Sequence, residues 1–209
     1  MPVYIFSNEF AVSFNDCVEG VHMHYSAIKT FDIANGVGVR TSLFVSGCRH
    51  KCEGCFNSDA WAFDNGKAFN NDVYDYILQT MSMNYVDGLS ILGGEPLEPE
   101  NQHTVLTLMK KVKETYPNKN IWMWTGFTWE ELTDPEYESK CRARTAELDN
   151  ILKLTDVLVD GPFELENKDI TLRFRGSPNQ RIIDVPKSLE TGEVVLWDDG
   201  PILNNHGSF

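Results

Sequence analysis

Three of the chain's five cysteines, Cys48, Cys52 and Cys55, fall within eight residues in a C-x3-C-x2-C spacing. They come directly after the apolar run Leu43-Phe44-Val45, so a strand empties into a loop that sets three soft donors around one point. Thiolate sulfur suits zinc and iron–sulfur clusters and loses to oxygen ligands for magnesium or calcium. Ligand count separates the two. A structural zinc site closes with four donors and would recruit His50, or a distant Cys17 or Cys141, as the fourth. A cubane held by three cysteines keeps one iron without a protein ligand, and a substrate can bind there. Cys52-x-x-Cys55 also has the form of a redox pair.

A second candidate, Gly93-Gly94-Glu95-Pro96, follows the short apolar run Leu89-Ser90-Ile91-Leu92. Paired glycines admit a ligand close to the backbone. Their carbonyls and the Glu95 carboxylate are suitable acceptors for a cationic group. A Gly-Gly turn after a strand is, by itself, only a turn. Asp32-Ile33-Ala34-Asn35-Gly36-Val37-Gly38-Val39-Arg40 is likewise a turn on spacing alone. Arg175-Gly176-Ser177-Pro178-Asn179-Gln180-Arg181 forms either a hydrogen-bonded turn or an anchor for a ligand's carboxylate or ribose. His50 sits in the cysteine loop without a clear task. Cys17, His22 and His24 are expected to be incidental.

These residues need a scaffold, and the remaining sequence supplies one. Thr41 to Ser46 reads as the first strand. Val73, Tyr76, Ile77, Thr80 and Met81 recur at helical spacing behind a cap at Asn70 or Asn71. Gly88 to Leu92 is a buried strand, and Val105, Leu108, Met109 and Val112 mark one face of the clearest helix. Ile121 to Thr125 is a strand turned by Gly126, with Trp122 and Trp124 on one face, expected in the core. Thr128-x-x-Glu131 has the capping-box form and starts a short helix that Pro135 closes. A further helix is expected from Lys140 to Leu152, then the strand Val157 to Asp160, ended by Gly161-Pro162. Leu172 to Phe174 and Arg181 to Val185 read as short strands. Residues 190–197 suggest a hairpin, with fraying from Asp198 onward.

Strands alternating with helices give an α/β class with parallel units. About five such units cannot close an eight-fold barrel, so an open partial (βα) barrel is expected. Ligands in such sheets sit beyond the carboxyl ends of the strands. The cysteine loop, Gly93-Gly94-Glu95 and Asp160-Gly161 all follow strands, which would gather them on one rim.

The 209 residues are 42% hydrophobic and 23% charged, an ordinary globular composition. A net charge of −13 argues against a nucleic-acid footprint and against binding to anionic lipid. No apolar run reaches bilayer length, and no secretory signal opens the chain. Clustered, unpaired cysteines fit a reducing cytoplasm.

The string Gly47-Cys48-x-His50-x-Cys52-x-Gly54-Cys55-x-Asn57 resembles the cluster motif of the radical S-adenosylmethionine (SAM) enzymes. Within them it is most similar to the activating enzymes of anaerobic ribonucleoside-triphosphate reductase. The Gly-Gly-Glu-Pro, Arg-Gly-Ser-x-Asn-Gln and Asp-Ile-x-Asn-Gly-x-Gly-x-Arg strings carry the same resemblance, from about Tyr25 to Val185. It implies residues 1–24 as an extension, 25–185 as a radical SAM domain and 186–209 as a tail. It also implies a [4Fe-4S] cluster on Cys48, Cys52 and Cys55, with SAM on the fourth iron and held by Gly93, Gly94 and Glu95. Many relatives carry an aromatic where Gly54 stands, so the adenine contact falls to the Gly54–Cys55 backbone and Phe56. The implied activity is reductive cleavage of SAM, and hydrogen abstraction from a glycine of the reductase. A low-potential donor such as a flavodoxin would supply the electron. The alternatives are an activase of the pyruvate formate-lyase type, or a zinc-stabilised interaction module.

Overall fold

The computed structural model describes residues 23–198, so Cys17, His22 and the chain beyond Asp198 lie outside the described residues. Seven strands form one mixed sheet: β1 (His24–Asp32), β2 (Val39–Val45), β3 (Lys67–Ala68), β4 (Val86–Gly93), β5 (Asn120–Trp124), β6 (Val157–Asp160) and β7 (Arg181–Asp184). Their spatial order is β3-β1-β2-β4-β5-β6-β7. Strands β2, β4, β5 and β6 run parallel. At the margins β1 pairs antiparallel with β2 and β3, and β7 antiparallel with β6. The expected five strand–helix units reduce to three parallel crossovers, β2 to β4, β4 to β5 and β5 to β6. The class is mixed α/β.

Helices α1 (Asn71–Met81), α2 (Pro99–Thr115), α3 (Trp129–Thr133), α4 (Leu148–Leu154) and α5 (Val185–Thr191) complete the framework. Alternation along the strands decides which face they cover. Leu43, Val45, Leu89, Ile91, Ile121, Met123 and Leu158 point to one side. There they meet Val73, Ile77 and Met81 of α1, Val105, Leu108, Met109 and Val112 of α2, and Ile151 and Leu152 of α4 in one core. Arg40, Ser42, Phe44, Ser90, Leu92, Trp122 and Trp124 alternate with them and so occupy the opposite face. The helix starts follow the chemistry of their caps. The Asn70 side chain accepts from Val73 N–H at α1, and Thr128 and Glu131 form the expected reciprocal capping box at α3.

Four sequence expectations are corrected. Strand β1 precedes Thr41–Ser46, which is therefore the second strand. The helix expected from Lys140 begins only at Leu148, because the preceding segment is bound outward: Arg142 donates to Glu98, and the Ala143 carbonyl accepts from Gln102 Nε2 at 2.7 Å. Leu172 to Phe174 is not a strand but part of an irregular segment. The expected hairpin starts instead as α5, capped by Asp184, and Gly192 is its C-cap (φ +74°). The chain then returns along β7, with Asp184 N–H bonded to the Val195 carbonyl at 2.9 Å.

Candidate active site

The carboxyl ends of β2, β4, β5 and β6 open on one cavity of about 470 Å³. Its walls include Cys48, Cys52 and Cys55, and also Gly54, Phe56, Gly93, Gly94 and Glu95. These eight residues thus border the same space. Cys141 is not among the lining residues and packs against the helix-side core. His24 is not among the lining residues either, although at the start of β1 its carbonyl accepts from Ser46 N–H at 2.9 Å.

Backbone bonds seat the cysteine loop before any side chain acts. Gly47 N–H reaches the Ala60 carbonyl at 2.8 Å, Cys48 N–H the Trp61 carbonyl at 3.1 Å, and Glu95 N–H the Gly47 carbonyl at 2.8 Å. The buried Glu98 carboxylate then clamps the loop from outside. It accepts from Arg49 N–H at 2.7 Å, Arg49 Nη1 at 2.7 Å and Arg142 Nε at 3.0 Å. Burial works to raise the Glu98 pKa, but the bonds from Arg142 and Arg49 outweigh it and hold the carboxyl below its ordinary value.

The paired glycines serve the cysteine loop directly. Gly93 adopts φ +111°, and a Cβ there would lie 2.7 Å from the Val45 carbonyl oxygen. A Cβ on Gly94 would lie 2.6 Å from the Gly47 carbonyl oxygen and 2.9 Å from that of Ala60. Both positions therefore let β4 press against the strand and loop that carry the cysteines. Glu95, 1% exposed, is similarly engaged. Its Oε1 accepts from Leu97 N–H at 2.9 Å and Thr125 Oγ1 at 2.9 Å, and its Oε2 from Gly126 N–H at 2.8 Å. It joins the ends of β4 and β5.

His50 packs edge-on against Phe127, with ring centroids 4.5 Å apart. Its Nε2 lies 3.1 Å from Glu95 Oε2, without the alignment of a hydrogen bond and with no other partner among the described residues. A buried, orphaned ring nitrogen on the cavity wall fits a site that receives a polar group.

The donor set fits an iron–sulfur cluster. Cys48, Cys52 and Cys55 are all free thiols. Burial, then the Glu95 charge, pushes Cys48 up to about 11. Burial also raises Cys52. Reactive redox cysteines show the opposite shift, whereas a bound metal centre would supply the positive charge that favours these thiolates. Among the described residues, no set of three or more His, Cys, Asp or Glu is gathered tightly enough for a single metal ion. A cubane makes a different demand, since each cysteine binds a different iron.

Sequence reading missed several lining residues: Ala34, Asn35, Trp124, Phe163, Ile170 and Phe174. Trp124 was expected in the core with Trp122. Only Trp122 is fully buried; Trp124 faces the cavity and donates Nε1–H to the Phe174 carbonyl at 2.7 Å. That bond pins the irregular segment between β6 and β7 across the site. The Arg-Gly-Ser-x-Asn-Gln string closes the same segment. Gln180 Oε1 accepts from Gly176 N–H at 2.8 Å, and Asn179 Nδ2 donates to the Pro162 carbonyl at 2.7 Å. Asp160 is structural as well, accepting from Trp129 N–H at 2.8 Å and from Arg181.

Residues 34–183 match the family model of the 4Fe-4S single cluster domain. Over 160 residues the chain is 38% identical to the anaerobic ribonucleoside-triphosphate reductase-activating protein of Enterobacteria phage T4, covering 77% of this chain and 93% of that protein. The proteins of the same name from Vibrio cholerae serotype O1 and Escherichia coli strain K12 are 39% and 36% identical, over 97% and 96% of their lengths. The chain belongs to this family of activating proteins. The family model covers both the cysteine loop and the Gly93–Glu95 turn, so the cavity lies wholly inside the segment that matches it. No helix among the described residues is long and apolar enough to cross a membrane.

Proposed function

We propose that this activating protein is a radical SAM enzyme that installs a glycyl radical on anaerobic ribonucleoside-triphosphate reductase. The observation that carries the reading is the convergence of three free thiols and the Gly93–Glu95 turn on one cavity at the strand ends. Cys48, Cys52 and Cys55 hold a [4Fe-4S] cluster through three of its irons. The Gly93 and Gly94 carbonyls receive the SAM ammonium, leaving Glu95 to hold the two strand ends together. The Gly54–Cys55 backbone and Phe56 take the adenine; Phe56, 98% exposed, gains most by being covered. When bound, cluster and SAM supply reductive cleavage of the sulfonium and a 5′-deoxyadenosyl radical able to take a glycine Cα hydrogen. Trp124, Phe163 and Phe174 limit water in the cavity. On this reading the seven-strand sheet serves as an open partial barrel of the radical SAM type, whose mouth would admit a peptide loop. A low-potential donor, a flavodoxin for example, reduces the cluster.

Anaerobic mixing of the reconstituted protein with the reductase, SAM and a chemical reductant tests this. Electron paramagnetic resonance should show a glycyl doublet that requires all four components. A protein that purifies with zinc, lacks acid-labile sulfide and gives no doublet would overturn the reading.

A further inference from the structure

The turn from Asp32 to Arg40 is left without a task by the cluster chemistry, yet it ends on a fully buried cation. The Arg40 side chain is 0% exposed, and among the described residues no carboxylate bonds to it, though Asp87, Asp156 and Asp32 act on it from farther off. Its Nε donates to Ser90 Oγ at 2.6 Å, Nη1 to the Val37 carbonyl at 3.1 Å, and Nη2 to the Leu89 carbonyl at 2.8 Å. The guanidinium lies 5.4 Å from the Trp122 ring. Burial pushes its pKa down to about 10, so it keeps its charge at neutral pH. A buried charge with only neutral acceptors is expensive, and such groups persist where they fix a geometry.

What Arg40 fixes is the loop before it. Ser90 Oγ, accepting from Arg40, donates in turn to the Asn35 carbonyl at 2.5 Å. Asn35 Nδ2 closes the loop on Asp32 Oδ2 at 2.6 Å. Gly36 crosses so close that a Cβ would sit 2.8 Å from Arg40 Cδ. Ala34 and Asn35 form part of the wall of the cysteine cavity. The relay therefore runs from a buried guanidinium, through one hydroxyl, to backbone on the ligand side.

We propose that Arg40 is a positioning residue that acts through Ser90 to hold Ala34 and Asn35 as the cavity floor against which SAM is seated. This rests on the SAM reading above. A cationic donor polarises the hydroxyl it binds and strengthens that hydroxyl's own bond to the carbonyl, so the two links reinforce each other. Removing Ser90 cuts the link to the Asn35 carbonyl and leaves the loop tethered farther along, at Val37 by Arg40 and at Val39 by Asp87.

The decisive variant is Ser90→Ala, because Arg40→Met risks the fold by orphaning several carbonyls. Two quantities are read on cluster-reconstituted protein: SAM affinity by calorimetry, and amide hydrogen exchange across residues 33–38. Ser90→Ala should weaken SAM binding roughly three- to tenfold. It should also speed exchange in that loop; the orphaned Arg40 Nε lowers the melting temperature in either case, so affinity is read well below the unfolding transition. A merely structural role would lower the melting temperature and leave the affinity of the folded protein unchanged. Wild-type SAM affinity in Ser90→Ala, or unchanged exchange at 33–38, would overturn the proposal. Failure of the wild-type protein to bind SAM would instead remove the underlying function, a result distinguishable because the comparison of variants never arises.

Discussion

At the carboxyl ends of β2, β4, β5 and β6, three thiols, a glycine pair and an orphaned imidazole nitrogen surround the larger cavity. At the opposite end, Asp87, Asp156 and Asp184 line a second cavity of about 360 Å³ with Trp122 and Trp197. Charge settled within the fold distinguishes the two. Asp156 pairs with Lys113 at 2.7 Å, Asp184 with Lys187 at 2.6 Å, and Asp87 accepts Val39 N–H at 2.8 Å. Each far-end carboxylate has its partner inside the chain. The cysteines are met by backbone donors instead: Asn57 N–H lies 3.4 Å from Cys55 Sγ, and burial disfavours the thiolate of Cys48 and Cys52. The two ends of one sheet thus differ, with carboxylates matched inside the chain at one and soft thiols suited to a metal centre at the other.

The sharpest break of that comparison is Cys52→Ala. Iron and acid-labile sulfide should fall to background and the glycyl doublet with them, whereas Cys141→Ala, outside the cavity, should keep both. Elemental analysis and spin quantification check this.

Glu98 comes next, as the clamp on the loop. Glu98→Gln leaves Arg49 and Arg142 without their buried counter-charge and, because both arginines are part-exposed, should cost about 2 kcal/mol in denaturant unfolding. The sign with pH follows from its depressed pKa. Its contribution is full above the ordinary carboxyl value of 4.5 and is lost as pH falls through the lower folded value. The gap between wild type and Glu98→Gln should therefore be constant near neutrality and close below pH 4.5.

Gly94→Ala should cost about 2 kcal/mol by forcing a methyl against the Gly47 and Ala60 carbonyls. Because those carbonyls belong to the loop, cluster content should drop together with melting temperature. Normal cluster content with weakened SAM binding would show that the glycine makes room for ligand instead. At the far end Asp87→Asn keeps an acceptor for Val39 and should change stability by under about 1 kcal/mol. Cluster content and SAM affinity should not move.

The site was more legible in the sequence than the parts that enclose it. Cysteine spacing, the glycine pair and the Thr128–Glu131 capping box are local signals, each written in a few consecutive residues. Strand β1 hides because its register slips between Tyr25 and Ala27 and again between Lys29 and Asp32, breaking the two-residue alternation. Helix α5 hides because Thr191-Gly192 reads equally as a hairpin turn or a helix C-cap, and only tertiary packing chooses. Leu172 and Phe174 look like strand residues, but Phe174 is drawn to the cavity by Trp124 and lies over Trp122, with ring centroids 5.3 Å apart. Glu95 was legible as a site residue but not as a brace, since its donors Thr125 and Gly126 stand some thirty residues away.

Everything turns on whether three cysteines leave one iron for SAM. Electron–nuclear double resonance of the reduced cluster, with SAM carrying a heavy nitrogen isotope in its amino group, addresses this directly. The account predicts a nitrogen coupling that changes with the isotope and disappears when SAM is withheld. An isotope-independent coupling from a nitrogen of this polypeptide, His50 included, would contradict it.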